Sequence, residues 1–220
     1  MNNSDLIITI DGPAGVGKTT LARKLAASLD IAYLDTGAMF RAVGWLCSKS
    51  LANPGEHAIQ ALLQSLNFGI EGTGWDSHVT LNGNRLGSEI RTEEAGMQAS
   101  NMGRYESVRS YLKDAQQKIG SSMSLVAEGR DMGSVVFPLA PFKFFLDASA
   151  EVRAWRRHAQ LAKVDKGADY EVILDLIIKR DEQDRNRSIA PLKPAPDAII
   201  IDTSQSGPDE VFNIMKQHIK

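Results

Sequence analysis

Gly12, Gly15, Gly17, Lys18 and Thr19 stand at the spacing Gly-x4-Gly-Lys-Thr, with Pro13, Ala14 and Val16 among them and Thr20 directly after. Glycines at these places let the backbone curl until its N–H groups converge on an anion-sized nest, which bulkier residues could not line as closely. A lysine closing such a loop reaches β- and γ-phosphate oxygens, and the hydroxyl beside it is a magnesium ligand. The spacing therefore predicts a triphosphate site, with Lys18 on the phosphates and Thr19 on Mg2+. It does not say what is done with the nucleotide, because switches, motors, transporters and small-molecule kinases share this loop.

A second chemistry is written in the arginines. Arg130 can fork onto a phosphate while Asp131 accepts hydrogen bonds from an amino group, and the pair closes the run Glu128-Gly129-Arg130-Asp131 after a strand-like segment. Positions 173, 177, 180, 184 and 187 follow one helical face, apolar at Ile173 and Ile177 and then charged at Arg180, Asp184 and Arg187. Such a face fits either a helix running from the core into a polar cleft or a solvated helix end. Arg153, Arg156 and Arg157 fall at i, i+3 and i+4, where three guanidinium groups on one exposed face repel unless an anion neutralises them. A phosphate-clamping lid explains that cluster, and a generic basic surface is the alternative.

These side chains need a frame. Residues 6–10 read as a buried strand and 21–29 as a helix, on either side of the glycine loop. Residues 31–34 read as a second strand, followed by a helix capped near Thr36; 124–127, 142–146 and 198–201 read as three more strands. Five strands separated by helices predict a parallel sheet covered on both faces. Its C-terminal edge, where ligands bind in open α/β sheets, is where Gly12 and Arg130 fall. The stretch 67–90 differs: residues 78–82 alternate, Asn82-Gly83 is a hairpin turn, and no helical period appears, so a small antiparallel insertion is expected.

Composition narrows the function classes. The chain has 220 residues, 43% of them hydrophobic and 24% charged, which suits one soluble α/β body. A net charge of −2 supplies no global field for nucleic acid, so small molecules rather than a polymer or a membrane are the expected partners. Cys47 is the single cysteine, which excludes an intrachain disulfide and fits a reducing cytoplasm. No basic segment followed by a long apolar run marks the N-terminus. The four histidines are dispersed, without the spacing of a metal cluster. No heptad run appears, so a monomer is expected.

Several motifs in order are far more specific than the glycine loop alone. ITIDGPAGVGK at 8–18, LDTGAMFR at 34–41, EIRTE at 89–93, GRDMG at 129–133, VFP at 136–138, FLDAS at 145–149, Arg180-Asp181 and DRNR at 184–187 together make a chain that resembles the bacterial cytidylate kinases nearly end to end. These are nucleoside monophosphate kinases that phosphorylate CMP and dCMP from ATP. The resemblance implies a P-loop NTPase fold over 1–220, a β-rich monophosphate-binding insertion near 66–101 and a helical lid near 153–170. It implies that Arg41, Arg130 and Arg187 hold the acceptor's phosphate, that Ser100, Arg109 and Asp131 read the cytosine edge, and that Arg180 with Asp184 holds the sugar. Thr36 would donate a hydrogen bond to the acceptor, and Arg156 would join the loop in holding ATP. Lys18, Arg130 and the lid residues Arg153 and Arg157 would act on the phosphoryl group in transit.

The chain departs from the family's usual pattern at Thr19, where Gly or Ser is common. It departs again at Thr36 and Phe40, often Ser and Tyr, and at Glu128, often Asp. Two other readings stay open on sequence: a kinase for another small acceptor such as UMP, and a nucleotide-dependent switch. The Asp-Gly-Phe-Pro-Arg segment of adenylate kinases and the guanine-reading Asn-Lys-x-Asp are both absent from the sequence.

Overall fold

A five-stranded parallel sheet, ordered β2-β6-β1-β7-β8, runs through this computed structural model, which describes residues 6–50, 55–162 and 167–219. In chain order the elements are β1 (Ile7–Asp11), α1 (Lys18–Leu29), β2 (Ala32–Asp35), α2 (Thr36–Ser50) and α3 (Glu56–Gln64). Then come β3 (Phe68–Glu71), β4 (His78–Leu81), β5 (Asn84–Arg85), α4 (Glu93–Met102), α5 (Glu106–Gly120) and β6 (Leu125–Gly129). The chain continues through β7 (Phe142–Asp147), α6 (Ala150–Leu161), α7 (Tyr170–Asn186), β8 (Ile199–Asp202) and α8 (Pro208–His218).

The central strands are apolar on both faces because helices cover both. Alternate side chains point to opposite sides of a strand. Ile8 and Ile10 of β1, Val126 of β6 and Tyr33 of β2 therefore join the core under α1 and α8. Leu125 and Ala127 of β6 and Leu34 of β2 join the core under α2 and α5. β1 pairs with β6 from Ile7↔Leu125 to Asp11↔Gly129 and with β7 from Ile8↔Phe142 to Asp11↔Phe145. The ends of β1, β6 and β7 thus lie side by side, each passing at once into a loop that carries polar residues.

The expected insertion contains the antiparallel sheet β3-β4-β5. Its tight turn is Asn82-Gly83, both at positive φ (51° and 76°), the conformation that a two-residue hairpin requires and that these residues tolerate. α4 then packs along α2 at a short distance: a Cβ at Gly44 would lie 2.9 Å from the Cβ of Gln98. That contact fixes α4, and with it Ser100, beside the sheet's C-terminal edge.

Two local expectations change. Thr36 begins α2, but the capping acceptor is Asp35, whose Oδ1 takes the Ala38 N–H at 2.8 Å; the Thr36 hydroxyl instead donates to the Glu128 carbonyl at 2.6 Å. The three-arginine surface on α6 is not there. Arg153 is 2% exposed, because α7 packs on α6 and brings Asp181 against it. The lid range near 153–170 includes 163–166, which lie outside the described residues.

Candidate functional site

The glycine loop takes the left-handed backbone its sequence allows, with Gly15 at φ 77° and Gly17 at φ 98° immediately before α1. A side chain on Gly12 would run into the Leu146 carbonyl of β7, so the loop lies tight against the sheet. Lys18 folds back over it and donates from Nζ to the Pro13 carbonyl at 2.7 Å. Burial, together with the nearby Arg130 guanidinium, holds Lys18 well below the ordinary lysine range, with Glu128 pulling the other way. Phosphate oxygens beside Nζ would supply counter-charge and restore the ammonium.

Side chains from three other elements brace this loop. Arg153 of α6 donates from Nη1 to the Ala14 carbonyl at 3.1 Å and from Nε to the Ala148 carbonyl at 3.0 Å, and it forms a two-pronged ion pair with Asp181 of α7. Arg156 donates to the Thr203 hydroxyl at 3.1 Å and to the Thr203 carbonyl. Thr203 in turn donates towards the Val16 carbonyl, at 3.4 Å. Arg157, one position on, reaches Gln160 at 3.3 Å. The three guanidinium groups therefore have three sets of protein acceptors, which removes the repulsion expected of an exposed face.

Thr19 and Glu128 come together at the front of the loop. The Thr19 hydroxyl donates to the Glu128 carboxylate at 2.8 Å, and the Tyr33 hydroxyl donates to the same Oε1. Burial first, and Asp35 second, raise the Glu128 carboxyl above the usual range. A hydroxyl beside a carboxylate is the hard-oxygen donor set that Mg2+ takes when phosphates and waters complete its shell, so these residues fit the ion. Among the described residues there is no cluster of three or more acidic, histidine or cysteine side chains that could hold a metal by itself.

The other half of the cleft is a lattice of buried ion pairs. Arg109 of α5 pairs with Asp131 Oδ2, and Arg187 Nη2 lies 3.7 Å from Asp131 Oδ1. Arg130 donates from Nε to Asp184 Oδ2 at 2.9 Å, and Ser100 of α4 donates to Asp184 Oδ1 at 3.2 Å. Burial pushes the Asp184 carboxyl up, but Arg130, Arg180 and Arg187 outweigh it and hold the group below the usual carboxylate range. At Asp131 burial wins over Arg109, Arg187 and Arg130, and the carboxyl is raised. Arg41 lies further out, 2.9 Å from Asp35, and Phe40 places its ring under the Arg109 guanidinium at 5.7 Å.

The sequence-predicted residues thus assemble into two neighbouring groups. Lys18, Thr19, Arg153 and Arg156 surround the loop, and Ser100, Arg109, Arg130, Asp131, Arg180, Asp184 and Arg187 form the lattice. Asp184 is 4% exposed, which decides in favour of the cleft for the charged face of α7. Ser100 binds Asp184 rather than the Arg109–Asp131 pair. Sequence reasoning missed Asp11, Asp35 and Asp181. Asp11 is buried at the end of β1 and accepts the N–H groups of Met132 and Gly133, both at 2.8 Å, so it ties the start of the glycine loop to the turn that carries Asp131. Burial pushes its carboxyl up to about 7 despite those bonds. The only signal for it was a charged residue ending an apolar strand.

The family model for cytidylate kinase matches residues 8–220. The chain is 50% identical over 215 residues to a cytidylate kinase of Oleidesulfovibrio alaskensis, which covers 98% of each protein. It is 51% identical over 211 residues to a cytidylate kinase of Maridesulfovibrio salexigens, covering 96% of this chain and 95% of that one. Among solved structures, a shikimate kinase from Bacteroides thetaiotaomicron superposes over 97% of this chain and 98% of its own, with a TM-score of 0.51 at 14% identity. That last likeness shows a shared fold.

Proposed function

The chain belongs to the cytidylate kinase family, and from that premise we propose that it transfers the γ-phosphoryl group of ATP to CMP or dCMP, giving CDP or dCDP and ADP. The observation that carries this reading is the meeting of two unlike sites on one sheet edge, a glycine loop with Lys18 and a buried arginine–aspartate lattice centred on Asp131 and Asp184.

In this reading the loop amides and Lys18 hold the triphosphate, and Thr19 with Glu128 provides the oxygen ligands for Mg2+. Held there, Mg2+ would supply positive charge to offset what develops on the phosphate oxygens. Arg41, Arg130 and Arg187 hold the acceptor's phosphate, Arg180 and Asp184 hold its sugar, and Thr36 adds a hydroxyl beside the Glu128 backbone. The acceptor presents an ionised phosphate oxygen that is already nucleophilic, so no side chain needs to remove a proton. Arginines then do the remaining work, because charge neutralisation and alignment dominate a loose transition state.

Base choice falls to Asp131 and Arg109. Cytosine offers an amino donor to a carboxylate and ring acceptors to a guanidinium, whereas uracil would set a carbonyl against Asp131. Arg153 is assigned to bracing the loop through the Ala14 carbonyl and Asp181, and Arg157, on the outer side of α6, to reaching the phosphates when the lid closes. Arg156 and Thr203 flank the donor side at Val16. The protein acts as a monomer in this reading, and light scattering of the purified chain tests that.

One plate of coupled ADP-release assays, with CMP, dCMP, UMP, AMP and no acceptor, tests the function. Turnover with CMP and dCMP well above UMP and AMP supports it. Turnover that needs no acceptor would instead indicate a nucleotide switch.

A further inference from the structure

Tyr33 and Glu128 reach one another because of the register in which β2 and β6 pair. Tyr33 stands opposite Val126, and Glu128 follows Val126 by two, so all three point to the same face of the sheet, the one that α1 covers. Thr19 lies in the first turn of α1, so a hydroxyl, a carboxylate and a phenol meet there. Glu128 Oε1 accepts from both Thr19 and Tyr33, while Oε2 lies 3.1 Å from the Thr19 hydroxyl. A carboxylate offers about four lone-pair sites, so pinning Oε1 leaves Oε2 with capacity for a cation or one of its waters.

Tyr33 is 1% exposed in the core under α1 and α8, where phenylalanine would fill the same space without a hydroxyl to satisfy. That hydroxyl is turned to the carboxylate beside Thr19. The ring is held in place: the Arg23 guanidinium covers it, 4.7 Å from the centroid, and the Ser77 hydroxyl accepts the Tyr33 backbone N–H at 2.9 Å. Arg23 is itself tied to the Trp75 carbonyl at 2.8 Å. Glutamate is one methylene longer than aspartate, and the added rotatable bond must be frozen before its carboxylate can serve as a ligand. Asp35, the register partner of Glu128, adds a like charge that would drive an untethered carboxylate away.

We infer that Tyr33 is a positioning residue for Mg2+, whose hydroxyl fixes the Glu128 carboxylate against Thr19 so that the pair presents its remaining oxygen lone pairs together. The inference rests on the Thr19–Glu128 magnesium reading proposed above and adds to it the group that holds the longer acidic arm. Thr19 gives its proton to the carboxylate and keeps its lone pairs, which is the state in which a hydroxyl can ligate a cation. Tyr33 itself touches neither nucleotide nor ion, so its loss acts through Glu128.

The test measures Mn2+ binding to the complex of the protein with the non-hydrolysable ATP analogue AMP-PNP, with free Mn2+ read by electron paramagnetic resonance. Tyr33→Phe deletes one oxygen and keeps the ring. The expected result is a Kd for Mn2+ raised about tenfold, the low end for a lost partner of a metal ligand. AMP-PNP binding in EDTA and the KM for CMP stay as in wild type. Glu128→Asp, whose shorter arm falls away from the phenol, loses a similar factor, and Tyr33→Phe added to it has no further effect. Unchanged Mn2+ affinity in Tyr33→Phe overturns the role of Tyr33. So does an equal loss of AMP-PNP binding in EDTA, which would mark a structural fault in the loop rather than at the metal ligands. Losses from Tyr33→Phe and Glu128→Asp that add in full also overturn it, because Tyr33 would then not act through Glu128. Glu128→Gln separates the reading beneath: Mn2+ affinity as in wild type there overturns the metal assignment itself, whatever Tyr33→Phe does. Should Tyr33→Phe not fold, Glu128→Asp alone carries the test, since an Mn2+ affinity equal to wild type would show that the held arm is not needed.

Discussion

The glycine loop and the arginine–aspartate lattice, donor and acceptor sides in the proposed reading, sit on one edge of one sheet and are built on opposite principles. The loop is backbone: its shape comes from glycines at positive φ, and its side chains brace it from behind. The lattice is side chain: Arg109, Arg130 and Arg187 are held by Asp131 and Asp184, groups drawn from three stretches of sequence. A backbone nest binds any triphosphate in the same way. A lattice of paired charges selects, because a wrong ligand leaves some member unpaired in a site where that is costly. In the proposed reading, generality and specificity are thus separated in space.

The largest expected effect lies on the donor side. Lys18→Met removes the charge from the triphosphate and should lower kcat by about a thousandfold, the scale of losing a principal electrostatic group. The loss should be equal for CMP and UMP; a change in their ratio would erase the separation between the two sites.

The next is on the lattice. Asp184→Ala leaves Arg130 without its carboxylate partner and Arg187 with Asp131 alone, and removing one partner of a buried pair costs about 3 kcal/mol or more. Denaturant unfolding should show that loss, and steady-state kinetics should show a raised KM for CMP with the KM for ATP little altered. Equal rises in both would mean that the lattice also shapes the donor loop.

Asp11 joins the two regions, and pH reads it. Its carboxyl titrates near 3.8 when unfolded and at about 7 when buried, so between those values the folded state carries a proton that the unfolded state has released. Stability from this group is therefore greatest below about pH 4 and falls as pH rises towards 7, by up to about 1.4 kcal/mol per pH unit. Above 7 both states are ionised and the slope ends. Asp11→Asn should flatten this part of the stability profile, measured by urea unfolding at pH 5, 6 and 7. An unchanged slope would show that the join contributes no proton linkage.

The smallest effect separates bracing from binding. Arg156→Ala removes the bonds to Thr203 and should raise the KM for ATP a few-fold, about 1 kcal/mol, leaving CMP untouched. A rise in the KM for CMP instead would place Arg156 on the wrong side of the comparison.

How much of this could be read from the chain follows the same division. The loop was legible because every residue that shapes it lies within eight positions of the others. The strands were legible because both their faces are apolar. The lattice was legible only as residue types. Arg130 and Asp184 are 54 positions apart, and the pairing depends on α7 crossing the end of β6, which no local pattern encodes. Arg153 shows the cost of that blindness. From its own helix it belongs to a repelling triplet, and it is buried because Asp181 arrives from a helix 28 positions away.

β1 gives the molecule one practical property. The residue at its end, Asp11, clasps the amides of Met132 and Gly133, and the residue after it opens the glycine loop. Those two amides touch neither nucleotide in the reading above, yet they can exchange with deuterated solvent only when the clasp lets go. Their exchange rate is a built-in reporter of whether the selective half of the site is seated on the general half. An engineer recasting the acceptor preference could vary the lattice and watch those two amides to learn whether the frame still holds.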